Sequence, residues 1–237
     1  MAGIMVSIVN SVSRNIPAAP SFTNPSLTIT NVTTVSQSPF AGGGNSYSFN
    51  AAANSVIIAA GSSDWAVGTG DFTVEWFQYQ TDTNSFPRIF HRGAAYPNQE
   101  MGVSIEGSTF YAWVKGATSF GSATPYKNAW THFALVRSGT TLKAFKNGTQ
   151  LGSNTTNSTN FSNTTPQLTI GRETNGAGTT QFGGYITNFR WVKGLAVYTG
   201  NFTVPTSALT ATASANPYGG SNTQAISSGY TKLLLNP

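Results

Sequence analysis

The chain has 237 residues, of which 39% are hydrophobic and 8% are charged, and its bulky side chains comprise 15 Phe, 9 Tyr and 5 Trp. The net charge of +5 is scattered along the chain, whereas a nucleic-acid-binding protein concentrates its basic residues in a patch, so we expect no nucleic-acid partner. Cysteine is absent, which excludes disulfides, thiolate metal sites and a cysteine nucleophile. No run approaches the roughly 18 apolar residues of a transmembrane helix, so we expect no membrane insertion.

The first 40 residues differ from the rest of the chain. Their short apolar run has no basic residue before it, which is not typical of a secretory signal. Ser26–Thr30 alternates like a short strand, but four prolines prevent any long element: Pro17, Pro20, Pro25 and Pro39. We interpret residues 1–40 as an extended N-terminal arm for docking or assembly, followed by one domain at residues 41–237.

From Ser46 onward, short runs of alternating apolar and polar residues predict β-strands. Residues 46–52 and 55–60 are interpreted as a strand pair joined by an asparagine turn. A turn at 106–108 predicts a hairpin, and Asn147-Gly148 is a strong hairpin signal of its own. The spacing of these runs, without helical periodicity, indicates an all-β fold built as a two-sheet antiparallel sandwich. The polar, low-complexity residues 153–166 are expected to form a surface loop.

Several segments carry a resemblance to one family. They are SYSFN at 46–50, GTGDFTVEWF at 68–77, WTHFALVRSGTTLKAFKNG at 130–148, LTIGRE at 168–173, GGYITNFRWVKGLAVYTGNFTVP at 183–205 and TKLLL at 231–235. Together they resemble the laminin-G/concanavalin-A-like jelly roll found in many phage and algal-virus structural proteins, over about residues 45–237. In similar proteins the last strand follows soon after the preceding segment, so residues 213–229 are expected to be an inserted surface loop.

The sequence argues against enzymatic activity. Related glycoside hydrolases carry a Glu-x-Asp-x-x-Glu strand motif, which is missing here. Asp71 and Glu75 would lie roughly 13 Å apart along a strand, whereas glycosidase carboxylates are about 5–9.5 Å apart. The chain has two histidines and no Gly-x-Ser-x-Gly motif for a nucleophilic serine. We therefore predict a protein that is not an enzyme and has no organic cofactor.

The resemblance implies one candidate metal site, because laminin-G-like domains often hold a calcium ion at their rim. Asp64, Asp71 and Asp82 are the candidate ligands, since carboxylates near strand ends suit a hard cation. They are not clustered as in an Asp-x-Asp-x-Asp loop, and capping of turns or strand ends is the alternative role for each.

The fold also makes a sugar-binding site plausible. The candidate residues are four aromatic platforms and two polar companions: Phe77, Tyr111, Trp113, Trp191, His132 and Arg190. Each tryptophan has a competing role as core filler, and His132 has one as a structural hydrogen-bonding residue.

These observations lead to two hypotheses about function. The first is a virion structural protein, most simply a capsid decoration (cement) protein on the virion surface. Its arm would dock on the major capsid protein or another virion protein, and its subunits would self-associate, with a trimer as the first expectation. The alternative is a carbohydrate-binding adhesin, a tail-fibre or lectin-like module, that recognises a surface glycan.

Overall fold

The computed structural model describes residues 22–94, 99–174 and 180–237. This part of the chain forms fifteen β-strands and no α-helix. Accordingly, it contains no helix that is long and apolar enough to cross a membrane. All strand pairings are antiparallel, which confirms the predicted all-β sandwich.

The strands form two sheets. Sheet A has the spatial order β1 (Leu27–Thr30), β4 (Val56–Ala59), β13 (Leu168–Ile170), β6 (Arg88–Gly93), β7 (Gln99–Glu106), β8 (Thr109–Val114), β9 (Ala117–Ser122). Sheet B has the order β12 (Thr149–Thr156), β11 (Thr141–Lys146), β10 (Thr131–Ser138), β5 (Phe72–Gln80), β14 (Gly184–Lys193), β3 (Ser46–Phe49), β2 (Val32–Val35), and β15 (Thr231–Leu235) also pairs with β14.

Side chains alternate between the two faces of each strand, and sheet B buries its inner face and part of its outer face. On β10, Phe133 and Leu135 enter the core between the sheets, whereas Ala134 and Val136 belong to a second apolar cluster on the outer face. Trp76 lies in the inner core, with ring centroids 5.8 Å from Phe133 and at most 6.4 Å from the other aromatic rings that it contacts. The inner core is therefore stabilised by contacts between aromatic rings, in which the chain is rich.

A long C-terminal connection covers part of the outer face of sheet B. We call residues 195–227 the cover segment; Val197, Tyr198 and Ile226 from this segment pack into the second cluster. The predicted inserted loop at 213–229 is therefore not simply a surface loop. Ile226 is 2% exposed and exchanges backbone hydrogen bonds with Ala213. Ile226 and Ala213 pack against the second cluster, and Gln224 and Asn222 form backbone hydrogen bonds with Val197 and Thr199, so this part of the chain is anchored to the domain.

The predicted arm does not end at residue 40 as a separate element. Strand β1 pairs with β4 in sheet A and β2 pairs with β3 in sheet B, so residues 27–35 belong to both sheets. The chain passes from one sheet to the other at Asn31, whose φ of 52° lies in the left-handed region that asparagine tolerates. Of the predicted arm, residues 1–21 lie outside the described residues.

Two local predictions are wrong in detail. Strands β3 and β4 are consecutive but lie in different sheets, because Phe49 and Ile57 enter the same core from opposite sides. In the predicted loop at 153–166, the first residues continue β12, and Phe161 is fully buried in the core. The two predicted hairpins are confirmed: β7 pairs with β8 and β11 pairs with β12.

Candidate functional site

Two of the predicted site residues, His132 and Arg190, lie in a buried polar cluster on the outer face of sheet B. Arg190 donates from Nε and Nη2 to Oε1 of Glu75, at 2.9 and 2.6 Å. The Tyr198 hydroxyl donates to Oε2 of Glu75 at 2.6 Å, and His132 Nε2 lies 3.1 Å from the same oxygen. None of the four residues is more than 3% exposed. All four side chains are buried, so His132 and Arg190 are not displayed on a surface where a sugar could stack or bind.

The ionisation of this cluster follows from its contacts. Burial alone would raise the pKa of Glu75, but the charge of Arg190 and the hydrogen bonds from His132 and Tyr198 outweigh it and lower the pKa to about 2. Burial, together with the Glu75 carboxylate, raises the pKa of Tyr198. At neutral pH the cluster therefore holds an ionised carboxylate between a guanidinium and a neutral phenol.

Two of the predicted aromatic platforms are also inside the protein. Trp191 is fully buried in the inner core, where its ring centroid lies 5.9 Å from that of Trp65 and 5.8 Å from that of Phe90. Phe77 is 4% exposed and is covered by Phe40, with 5.2 Å between the ring centroids. Neither ring can be a surface platform, and Trp191 has the competing role of core filler.

The three candidate calcium ligands do not converge. Asp71 precedes β5 and Asp82 follows it, so the two lie at opposite ends of a nine-residue strand, about 30 Å apart. Asp71 accepts the backbone N–H of Gly139, and Asp82 accepts that of Gly183, each at 2.7 Å. The Asp64 carboxylate lies 3.7 Å from Lys232. Within the three described ranges, no three His, Cys, Asp or Glu side chains group as metal ligands, so these residues do not fit one calcium ion and the two strand-end aspartates act as caps.

Tyr111 and Trp113, by contrast, lie on the outer face of sheet A. Strand β8 sends Phe110, Ala112 and Val114 into the core, so the intervening tyrosine and tryptophan point away from it and are half-buried. Their ring centroids are 6.2 Å apart. These two of the six predicted residues are brought together on an accessible face.

A pocket adjoins Trp113. It has a volume of about 480 Å³ and is lined by Phe86, Arg88, Glu106, Trp113, Glu173 and Thr180. Phe86 is 46% exposed, so its ring is available to a solute at the edge of the pocket. The pocket therefore combines aromatic walls with charged groups.

The charged groups of the pocket are held in place by one another. Arg88 Nη1 donates to Glu106 Oε1 at 2.6 Å, and the guanidinium carbon lies 4.9 Å from the ring centroid of Trp113. The Ser104 hydroxyl donates to the same oxygen of Glu106 at 2.6 Å and accepts from Trp113 Nε1 at 2.9 Å. This chain of contacts orients the carboxylate and the indole ring before any ligand arrives.

Glu173, another residue that lines the pocket, lies 4.0 Å from His91 Nε2. Burial and, to a smaller extent, the nearby charge of Arg88 lower the pKa of His91 to about 4, so the imidazole is neutral at pH 7. The lining thus carries one guanidinium and two carboxylates. Such a site can accept hydroxyl hydrogen bonds beside an apolar wall.

Sequence reasoning missed Phe86, Arg88 and Glu106. Arg88 begins β6 and Glu106 begins the predicted turn at 106–108, but they are 18 residues apart and meet only because β6 pairs with β7. The alternation of β8 was the available signal for the face of Trp113. It does not identify which neighbours share that face.

Comparisons with known proteins agree with this architecture. The sequence profile of the concanavalin A-like lectin/glucanases superfamily matches residues 42–197. A search of curated protein sequences finds no match.

Solved structures share the fold at low sequence identity. Domain 4 of AbnA, an extracellular arabinanase from Geobacillus stearothermophilus solved with arabinotriose, matches with a TM-score of 0.53 and 16% identity over 72% of this chain and 83% of that one. Tailspike protein 2 from the Escherichia coli O157:H7 bacteriophage CAB120 matches with a TM-score of 0.58 and 12% identity over 75% of this chain and 27% of that one. A putative carbohydrate binding protein from Bacteroides ovatus matches with a TM-score of 0.51 and 14% identity over 70% and 44%.

The chain thus spans most of the arabinanase domain but less than half of the other two proteins. The profile match covers well over half of the chain, and the two antiparallel sheets agree with it. The chain belongs to the concanavalin A-like lectin/glucanase superfamily.

Proposed function

We propose that this protein is a non-enzymatic carbohydrate-binding protein, and that its saccharide site is the pocket between Phe86 and Trp113. The observation that carries the proposal is the pairing of aromatic walls with a preoriented Arg88–Glu106 ion pair in a pocket of about 480 Å³. Binding pockets typically combine an apolar lining with a few fixed polar groups. Sugars offer apolar C–H faces to the rings and hydroxyls to the carboxylates.

The structural neighbours support this proposal through their fold alone. The arabinanase domain was solved with arabinotriose, and the Bacteroides protein is described as a putative carbohydrate binding protein. At 14–16% identity, neither likeness transfers a ligand or a binding residue to this chain.

The test is a glycan-array screen followed by calorimetry with each hit. We expect dissociation constants in the millimolar-to-micromolar range, and a loss of about tenfold or more, equal to about 1.4 kcal/mol, in Trp113→Ala and Glu106→Gln. Tyr230→Ala is the matched control, because Tyr230 is an exposed ring that lies outside the pocket. Unchanged affinity in both pocket variants, or no hit with the folded wild-type protein, would contradict the proposal.

The non-enzymatic part is tested with the same ligands. Glu75 is sealed in its buried cluster, and the pocket's two carboxylates are Glu106 and Glu173. We expect no new reducing ends after prolonged incubation with a bound oligosaccharide. Reducing-end release that is lost in both Glu106→Gln and Glu173→Gln would instead identify a hydrolase.

A second proposed function is display on a virus particle, as a capsid decoration protein or a tail adhesin. It is motivated by a surface with few charges and by the fold likeness to a phage tailspike over 75% of this chain. In this proposal the segment before residue 22 docks on the capsid, and self-association, as a trimer, adds to the attachment. Quantitative mass spectrometry of purified particles is the test. A copy number near that of the major shell protein supports decoration, a few copies per particle support a tail position, and absence from the particles contradicts both.

A further inference from the structure

Three aromatic rings lie side by side at one end of the outer face of sheet B. Tyr79 is on β5, Tyr185 is on β14, and Trp130 directly precedes β10. The ring centroids of Tyr79 lie 5.8 Å from those of both Trp130 and Tyr185, and the last two are 6.4 Å apart. All three side chains are half-buried. We call this group the aromatic row.

Strand register extends the row with hydroxyl groups. Tyr185 is paired with Tyr79 on one side and with Ser48 on the other, and Ser48 is paired with Thr33 on β2. Paired residues of neighbouring strands point to the same face, and adjacent strands lie about 4.8 Å apart. Rings and hydroxyls therefore form one line across the sheet, about 19 Å long, without a charged side chain in it.

The contacts that cover the neighbouring part of this face do not extend to the line of rings and hydroxyls. Two residues earlier on β5, the ring of Phe77 is covered by Phe40, and the adjacent His132 packs against Phe202 at 5.7 Å between ring centroids. The aromatic row lies beyond that covered position. Within the part of the chain that the structure describes, the hydroxyls of Tyr79 and Tyr185 and the indole N–H of Trp130 make no hydrogen bond.

Rings whose polar groups are unpaired suit an amphipathic ligand better than an apolar one. An apolar partner would remove the two phenols and the indole N–H from water without replacing their hydrogen bonds, which is unfavourable for each of these groups. A sugar ring offers C–H groups to the aromatic faces and hydroxyls to these polar atoms. The spacing of the rings is comparable with the length of one sugar residue.

We propose that the aromatic row binds an uncharged oligosaccharide lying across the strands, at a site separate from the pocket. The pocket is on the outer face of sheet A and the row is on the outer face of sheet B, so the two sites face opposite sides of the sandwich. The absence of charge along the line selects neutral sugars over acidic ones. A chain with both sites can bridge two glycan strands.

The test uses tryptophan fluorescence, because Trp65, Trp76 and Trp191 are fully buried and leave Trp113 and Trp130 as the quenchable residues. In Trp113→Phe, we expect neutral hexasaccharides of xylose, glucose, mannose or arabinose to protect the fluorescence of Trp130 from quenching by acrylamide. The acidic hexagalacturonate should require at least a tenfold higher concentration for the same protection. Adding Tyr185→Ala or Tyr79→Ala should weaken protection by about tenfold. Tyr185→Phe should weaken it less, and Tyr230→Ala is the control.

Three results would overturn the proposal. The first is that no neutral probe protects Trp130 in a protein with wild-type circular dichroism, and the second is that the acidic probe protects it equally well. The third is a concentration-dependent dimer in sedimentation that Tyr185→Ala abolishes, which would assign the row to a second copy of the chain. The reciprocal variant, Trp130→Phe, reports on Trp113 and therefore on the pocket. The proposal for the aromatic row and the proposal for the pocket are thus tested independently, so one can be contradicted while the other is supported.

Discussion

Arg190 directs two N–H groups at one carboxylate oxygen of Glu75, on adjacent strands of a sheet, at a place where the cover segment lies over the outer face. Arg190 Nη1 donates onward to the carbonyl of Thr210, at 2.7 Å, in the cover segment. The ion pair therefore joins the sheet to the segment that seals it. A buried pair of this kind is weak evidence of net stabilisation, but breaking it by removing one partner is costly.

Glu75→Gln should destabilise the protein by about 3–5 kcal/mol, because Arg190 would remain buried without its counter-charge. Urea unfolding at pH 7 measures the change. Asp64→Asn is the control, since that carboxylate is partly exposed and its distance to Lys232 is 3.7 Å; we expect a change within about 0.5 kcal/mol. Equal effects of the two substitutions would contradict the role assigned to the buried pair.

Acid should reduce stability through the same carboxylate. The pKa of Glu75 is about 2 in the folded protein against an ordinary value of 4.5, so the unfolded chain takes up the proton first as the pH falls. Its contribution is complete above about pH 4.5 and disappears as the pH falls towards 2. Unfolding free energies measured across this range should fall steeply for the wild type and less steeply for Glu75→Gln. Parallel curves would show that Glu75 is not the titrating group.

Protonation of His91 should reduce the stability of the protein at a higher pH than protonation of Glu75 does. Its pKa is lowered to about 4 from 6.5, so protonation favours the unfolded chain and stability should fall as the pH drops from about 6.5 to about 4. His91→Gln keeps an acceptor for the backbone N–H of Thr174 and does not titrate. The unfolding free energy of His91→Gln should therefore depend less on pH over this interval than that of the wild type, as measured by thermal or urea unfolding at each pH. An unchanged slope would contradict the prediction.

Arg137→Lys should destabilise the protein by at least about 2 kcal/mol. The guanidinium donates to the carbonyls of Gly68, Gly70 and Thr159 and lies between aromatic rings, including that of Phe72 at 5.1 Å. A lysine ammonium cannot reproduce this planar set of donors. Lys143→Arg is the control, because Lys143 makes one exposed hydrogen bond, and a comparable loss there would contradict the argument.

Gly171→Ala should cost about 1–3 kcal/mol. Gly171 has a φ of 95°, and a Cβ atom there would overlap the ring of Phe49. Gly42→Ala is the matched control, since Gly42 has open space around it and no positive φ. Differential scanning calorimetry of both variants measures the contrast, and equal melting temperatures would contradict it.

The sandwich could be predicted because its signals are local. Asn147 and Gly148 both adopt positive φ, as the two-residue hairpin requires, and the alternation on β8 correctly separates core residues from surface residues. The partners of a strand are not local. β3 and β4 look like a hairpin in sequence but enter different sheets, because each finds a better partner far along the chain.

The candidate site was harder to predict for the same reason. Glu75 and Arg190 are 115 residues apart, and nothing near either residue indicates that the cover segment will bury them. Trp113 and Trp191 have similar polar and apolar neighbours in sequence, yet one borders a pocket and the other fills the core. Strand alternation assigns the face of a residue, whereas the order of the strands and the course of the loops decide whether that face is exposed.

The hydrogen bonds of the Asn24 side chain determine where a fusion partner or label can be attached to the domain. Its amide donates to the carbonyl of Leu234 at 2.7 Å and accepts the N–H of the same residue at 2.9 Å, so the beginning and the end of the described chain are clasped together. A fusion partner or label attached next to Asn24 would leave from the same corner of the sandwich as one attached next to Leu234. A variant that begins at residue 22 could therefore be circularly permuted by a short linker between its two ends.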